Sequence, residues 1–285
     1  MIYLDNNATT PVDEQVLLAM LPYFTEKFGN AASSTHLAGA EAKDAVENAR
    51  AQVAATVNCE AQEIIFTSGA TEAINLAIKG VYNNYQTKGN HILTVETEHK
   101  AVLDTCKFLE KKGAEVTYLK VDKNGLIDLK ELDNAITEKT ILVCVMYANN
   151  ETGVIQNIRE ISKIVHAKNS IFFCDATQAI GKIPLDVQED GIDLLCLSAH
   201  KFYGPKGIGA LYVRRKNPRV TLEPLIHGGG HERGLRSGTL NVPLIVGLGK
   251  ACEIISHINA VKTIRDAFEQ TLLKKYGDSI EVNGI

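Results

Sequence analysis

Four short polar clusters hold the residues of this sequence that could do chemistry, and three of them follow an apolar run directly. In Thr67-Ser68-Gly69-Ala70-Thr71-Glu72 a strand gives way to a helix. Gly69 permits close backbone approach, and the unpaired N–H groups of a helix start suit an anion. A phosphate fits at Ala70 and Thr71, although a plain helix capped by Ser68 or Thr71 explains the same residues. In Phe173-Cys174-Asp175-Ala176-Thr177-Gln178, Asp175 ends an apolar strand, where a lone carboxylate is costly to bury unless a cation meets it. A protonated pyridine nitrogen is such a cation, and an aspartate capping the next turn is the simpler alternative. In Leu197-Ser198-Ala199-His200-Lys201-Phe202-Tyr203-Gly204, Lys201 also follows a strand end. Desolvation there lowers a lysine's pKa and frees its amine to condense with an aldehyde, while Ser198 and His200 can hold a phosphate. A solvated loop lysine is the competing account. The fourth cluster is the glycine-rich run from His227 to Thr239. Its two histidines four apart have three glycines between them and no third ligand near, so a loop approaching a phosphate or a subunit boundary suits it better than zinc, and no metal is expected.

Taken together the clusters are more specific than any one of them. They supply a phosphate cradle, an aspartate for a pyridine nitrogen and a lysine for an aldehyde, in that order along the chain. Pyridoxal 5'-phosphate (PLP) asks this of a protein: an anchor, a partner that keeps its electron-withdrawing ring protonated, and an amine to join its aldehyde.

The elements that must position these residues alternate from about residue 63. Apolar runs at 63–67, 91–95, 115–121, 141–147, 171–175, 194–198 and 209–213 read as strands. Helical spacing recurs at 73–85, 101–112, 129–136 and 158–168. Near-continuous apolar strands with crossover helices imply an α/β fold whose mainly parallel sheet is covered on both faces, and ligands of such sheets collect beyond the strands' carboxyl ends. From Pro243 to about Tyr276 the pattern is helical, interrupted near Asn259, and 279–285 reads as a strand just starting.

Composition narrows the function classes. The 285 residues are 45% hydrophobic with a net charge of −4, so no basic face points to nucleic acid. The run Arg214-Arg215-Lys216 is expected to cap a solvated turn. No stretch suggests a membrane span or a secretory signal, and the six cysteines are scattered without a C-x-x-C pair. Cys144, Cys174 and Cys196 sit inside apolar runs, as small buried hydrophobes of a reducing compartment do, which makes the cytoplasm the expected location.

Further segments carry a resemblance to a known family: Tyr3-Leu4-Asp5-Asn6-Asn7-Ala8-Thr9-Thr10-Pro11, Thr97-Glu98-His99-Lys100-Ala101-Val102 and Asn149-Asn150-Glu151-Thr152-Gly153. With the four clusters they make the chain resemble the N-terminal three-quarters of a cysteine desulfurase of the iron–sulfur cluster assembly type, in the class-V aminotransferase family. The resemblance implies an aspartate-aminotransferase-like (fold type I) large domain with a mainly parallel seven-stranded sheet, plus an incomplete small domain. The divisions it implies are 1–12 in the small domain, 13–258 as the PLP-binding domain and 259–285 as the start of the C-terminal small domain. By the same resemblance Lys201 joins the cofactor and Asp175 meets its pyridine nitrogen. His99 stacks on the ring and is a candidate acid–base group, Asn150 and Gln178 lie on the ring-oxygen side, and Ala70, Thr71, Ser198 and His200 contact the phosphate. Thr239 is donated to the neighbouring subunit's phosphate, implying a homodimer. The implied substrate is L-cysteine, and the implied sulfur acceptors are proteins such as an iron–sulfur scaffold. The family's sulfur-accepting cysteine lies in a Ser/Gly/Ala-rich mobile loop, unlike the surroundings of any cysteine here, and its carboxylate-gripping arginine belongs to the same C-terminal region. The alternatives are a PLP-binding chain without desulfurase activity and another β-elimination lyase such as a selenocysteine lyase, against which the Ser237-Gly238-Thr239 loop and the His200-Lys201 context weigh.

Overall fold

The computed structural model describes residues 2–255 and 260–283. Ahead of the sheet run α1 (Glu14–Met20), α2 (Pro22–Thr25) and α3 (Leu37–Val57). Then follow β1 (Ile64–Thr67), α4 (Ala70–Tyr85), β2 (His91–Val95), α5 (Lys100–Glu110), β3 (Glu115–Leu119), α6 (Leu129–Ala135), β4 (Thr140–Cys144), α7 (Ile158–Ala167) and β5 (Ile171–Asp175). The chain continues through β6 (Leu194–Ser198), β7 (Gly209–Val213), α8 (Val242–Ile254) and α9 (Ala260–Tyr276).

The strands form one seven-stranded sheet in the order β1-β7-β6-β5-β4-β2-β3. β2, β3, β4, β5 and β6 pair in parallel, and β7 runs antiparallel to both β6 and β1. A parallel pair needs a long crossover whereas an antiparallel pair does not. The missing helix between 198 and 209 therefore has its reason in the direction of β7. Successive strand residues point to opposite faces, and each face has its own core. Ile64, Phe66, Phe172, Cys174, Leu195 and Tyr212 pack on the face that carries α3, α7 and α8. Ile65, Ile92, Leu142, Phe173, Cys196 and Leu211 pack on the face that carries α4 and α5. Burial on both faces explains why these strands read as unbroken apolar runs.

Two expectations are corrected. Residues 280–283 form no strand and instead follow a short turn of helix at Gly277–Ser279. The interruption near Asn259 and the last two residues lie outside the described residues. Arg214 does not cap a solvated turn: it is buried, donates to the carbonyls of Ile192 and Val187, and pairs with Asp193 at 3.1 Å. Its two neighbours do face solvent, where Lys216 pairs with Glu60 at 2.7 Å.

Candidate functional site

The carboxyl ends of β1, β2, β4, β5 and β6 share one edge of the sheet, and a cavity of about 860 Å³ opens there. The register sets its floor. Thr67 at the end of β1 and Ser198 at the end of β6 both pair with Gly209, and Asp175 at the end of β5 pairs with Cys196. Gly209 must be glycine, because a Cβ there would stand 2.4 Å from the Leu197 carbonyl oxygen and 2.8 Å from the Gly69 Cα.

Gly69, with φ +149, is the N-cap of α4, and among the described residues no side chain bonds the first amides of that helix. The expected caps are thus absent: Ser68 instead donates its backbone N–H to Glu72 Oε2 at 2.7 Å. Glu72 is also held bidentately by Arg236 at 2.7 and 3.2 Å. Burial raises the Glu72 carboxyl, but the bonds from Arg236 and Ser68 outweigh it and keep the group below its ordinary value. The uncapped amides of Ala70 and Thr71, with buried Ser198 beside Gly69 in the same lining, leave a seat for an anion.

Asp175 divides its two oxygens between a turn and the cavity. Its Oδ1 accepts the Thr177 N–H at 2.9 Å and the Cys196 thiol at 3.2 Å, which caps the turn. Oδ2 has no such bond, and the residue lines the cavity while only 5% exposed.

Lys201 is half-buried and donates to the backbone oxygens of Asn7 at 2.8 Å and Ala8 at 2.9 Å. Burial pulls its pKa below the ordinary lysine value, against the raising charges of Asp175 and Asp5. Burial likewise lowers His200, helped by the nearby charges of Lys201 and Lys206. His200 Nδ1 meets Thr9 Oγ1 at 3.2 Å, and its backbone oxygen accepts from Thr10. His99 caps α5, its Nδ1 accepting the Ala101 N–H at 3.1 Å, so the neutral ring carries its proton on Nε2.

With this geometry in hand, comparison with known proteins places the chain. The family model described as Aminotransferase class-V matches residues 2–280. The chain belongs to the class-V aminotransferase family. It is 61% identical over 253 residues to the cysteine desulfurase IscS of Neisseria meningitidis serogroup C, covering 89% of this chain and 62% of that protein. The chain therefore spans about 62% of the length of the curated relatives it matches first. Among solved structures it is similar to a "NifS-like protein" at TM-score 0.91 and 44% identity, covering 96% of this chain and 76% of that one. It is also similar to "SspA in complex with cysteine" at TM-score 0.88 and 42% identity, covering 95% and 78%. Those likenesses agree with the α/β sheet described above, and membership of the class-V family implies dependence on PLP.

Set against that family, the cavity brings together Ala70, Thr71, His99, Asn150, Asp175, Gln178, Ser198, His200 and Lys201. It does not take in Thr239, which is exposed on the glycine-rich loop. Among the described residues no group of three or more His, Cys, Asp or Glu side chains could hold a metal. No helix there is long and apolar enough to cross a membrane.

Other groups at the cavity have little or no signal in the local sequence pattern. The N-terminal segment carries the resemblance, and here Asn7 O accepts from both Gln178 Nε2, at 3.0 Å, and Lys201. Lys182 donates to Gln178 Oε1 at 2.6 Å. An ammonium only donates, so it fixes which end of the Gln178 amide is the acceptor. The four-residue spacing of Gln178 and Lys182 was the available signal. The contact of Asn7 with Gln178 spans 171 residues and had none.

Proposed function

We propose that this chain carries the cofactor site of a cysteine desulfurase, which converts L-cysteine to L-alanine and passes the sulfur on as a persulfide. The observation that carries the reading is one cavity holding a desolvated lysine amine, a buried aspartate with a free oxygen and an uncapped helix N-terminus. These residues fit PLP. The α4 amides, Ser198 and His200 would hold its phosphate, Asp175 Oδ2 would accept from its ring nitrogen, and Lys201 would supply the amine. Gln178 and Asn150 would face its ring oxygen, and His99 would cover the ring. When bound, PLP supplies an electron sink that stabilises negative charge next to the substrate's amino-bearing carbon.

The chain's own residues then have separable tasks. Asp175 keeps a proton on the ring nitrogen by offering a buried anion to it. Burial of Lys201 makes its amine available near neutral pH. His99 presents an N–H from Nε2. In the overall reaction the C–S bond of L-cysteine breaks, hydrogen replaces sulfur on that carbon, and sulfur joins an acceptor thiol as a persulfide. The atoms balance without an outside oxidant. Among the described residues none of the six thiols lines the cavity. Burial pushes all six up, Cys106 and Cys252 to about 12, so none is held as a thiolate. That observation favours the second reading for the chain by itself: PLP binding without sulfur transfer.

Also part of the proposal are a cytoplasmic homodimer in which Thr239 reaches the partner subunit's phosphate site, the domain divisions at 12 and 258, and an iron–sulfur scaffold as sulfur acceptor. The exposure of Thr239 outside its own cavity supports the dimer. The test loads the 285-residue chain with PLP, adds L-cysteine or L-serine, and follows the visible absorption and the mass of each cysteine peptide. L-Cysteine is expected to shift the absorption and to leave no persulfide on the six cysteines. A chain that stays colourless after PLP loading overturns the cofactor assignment, and a persulfide on one of the six overturns the reading of the thiols.

A further inference from the structure

Behind the cavity wall lies a carboxyl group that none of the tasks above uses. Glu98 is 5% exposed, and its Oε1 accepts the backbone N–H of Met146 at 2.5 Å. Its Oε2 is buried with no hydrogen-bond partner among the described residues. The flanking residues on both sides of this bond belong to the site. Glu98 directly precedes His99, and Met146 lines the cavity four residues before Asn150. A second bond runs beside the first, from Asn149 Nδ2 to the Thr97 backbone oxygen at 3.0 Å. The turn between β2 and α5 and the segment leaving β4 are thus tied to each other only a residue or two from two cavity side chains.

We propose that Glu98 is a positioning residue for His99 and Asn150: its carboxyl ties the turn that carries His99 to the segment that carries Asn150, and so sets both side chains for the cofactor. The inference rests on the PLP reading of the cavity. The geometry asks of this carboxyl one acceptor oxygen, and its burial favours the uncharged form. Among the described residues it pairs with no cation, and burial followed by the nearby charge of Asp175 drives it well above the ordinary carboxylate value. In that uncharged form Glu98 places no second negative charge beside Asp175. Its requirement is therefore an acceptor oxygen at the right reach, which an uncharged amide also provides.

That requirement gives the test, made on the 285-residue chain loaded with PLP. The dissociation constant and the visible circular dichroism of the bound cofactor are measured for Glu98→Gln, Glu98→Asp and Glu98→Ala, alone and combined with His99→Ala. Glu98→Gln should bind PLP within about twofold of the unaltered chain and keep its dichroism. Glu98→Asp, one methylene too short, and Glu98→Ala should each lose about tenfold in affinity, the scale of one buried hydrogen bond, and change the dichroism. In the His99→Ala background the loss should shrink, because one of the two side chains through which Glu98 acts is gone while Asn150 remains. Where Glu98→Ala fails to fold, Glu98→Asp and Glu98→Gln decide the matter. Unaltered affinity and dichroism in Glu98→Asp, or an undiminished loss beside His99→Ala, overturns the proposal. So does Glu98→Gln behaving like Glu98→Asp. An unaltered chain that binds no PLP defeats the parent reading instead, so the two failures are told apart.

Discussion

At the residue scale, Asp175 splits its two oxygens between the fold and the cavity. Oδ1 is committed to the Thr177 N–H and the Cys196 thiol, and Oδ2 is left for the cavity. Asp175→Asn preserves the shape and an acceptor for the turn but removes the charge that would hold a proton on the ring nitrogen. PLP affinity should fall about 10- to 100-fold, the worth of a charge-assisted hydrogen bond, as equilibrium dialysis would show. Exchange of the α-hydrogen of L-alanine with D₂O, followed by proton NMR, should slow about 100-fold or more by analogy with other preorganised electrostatic groups. Exchange at the unaltered rate would remove Asp175 from the role. At this scale the sequence was informative wherever a polar residue ended an apolar run, as at Asp175 and Lys201. It was silent where a polar group acts from behind, as Glu98 does, since nothing in the local pattern distinguishes a buried glutamate from a solvated one.

Among the elements, the strands were legible because burial on both faces demands unbroken apolar runs. Helix α3 was not. Its buried stripe includes Ala42, Ala45, Ala49 and Ala54, and alanine gives little contrast between a helix's inner and outer faces. The same helix holds the glycine-rich loop through a contact separated by 182 residues, which no local reading can detect. Arg50, 3% exposed, meets both oxygens of Glu232 at 2.8 and 2.7 Å, stacks on Phe66 with 4.6 Å to the ring centre, and donates to the Ile64 oxygen at 2.9 Å. Glu232 also accepts the Phe66 N–H at 2.7 Å. The bonds hold Glu232 and Arg233 at φ 48 and 58, left-handed conformations costly for residues other than glycine. Glu232→Ala leaves the buried guanidinium with only the half-exposed Glu47, at 3.3 Å, as counterion and should cost about 3 kcal/mol or more. For a chain of this size that corresponds to a fall in Tm on the order of 10 °C. The pair Arg50→Met with Glu232→Leu should recover part of the loss, because removing both charges also removes their desolvation penalty. Calorimetry showing Glu232→Ala as stable as the unaltered chain would mean that this ion pair does not hold the loop.

At the scale of the whole molecule, one edge of the sheet gathers the residues of the cavity. Parallel strands β2, β4, β5 and β6, with β1 beyond the antiparallel β7, bring five carboxyl ends to one edge. The uncapped start of α4 and the segment around Asn7 close over the same edge. The apolar runs and crossovers made the sheet and the location of its cavity readable in advance. They could not show the N-terminal segment lying across the site, because its contacts with Lys201 and His200 span more than 190 residues. The central claim is that this assembly exists to present one lysine amine, and covalent trapping tests it most directly. The chain is loaded with PLP, reduced with sodium borohydride, digested and mapped by mass spectrometry. The phosphopyridoxyl group is predicted on Lys201 alone, and Lys201→Ala should lose both the label and the visible absorption. A label on Lys182, Lys206 or Lys100 in the unaltered chain, or none at all, would contradict the account.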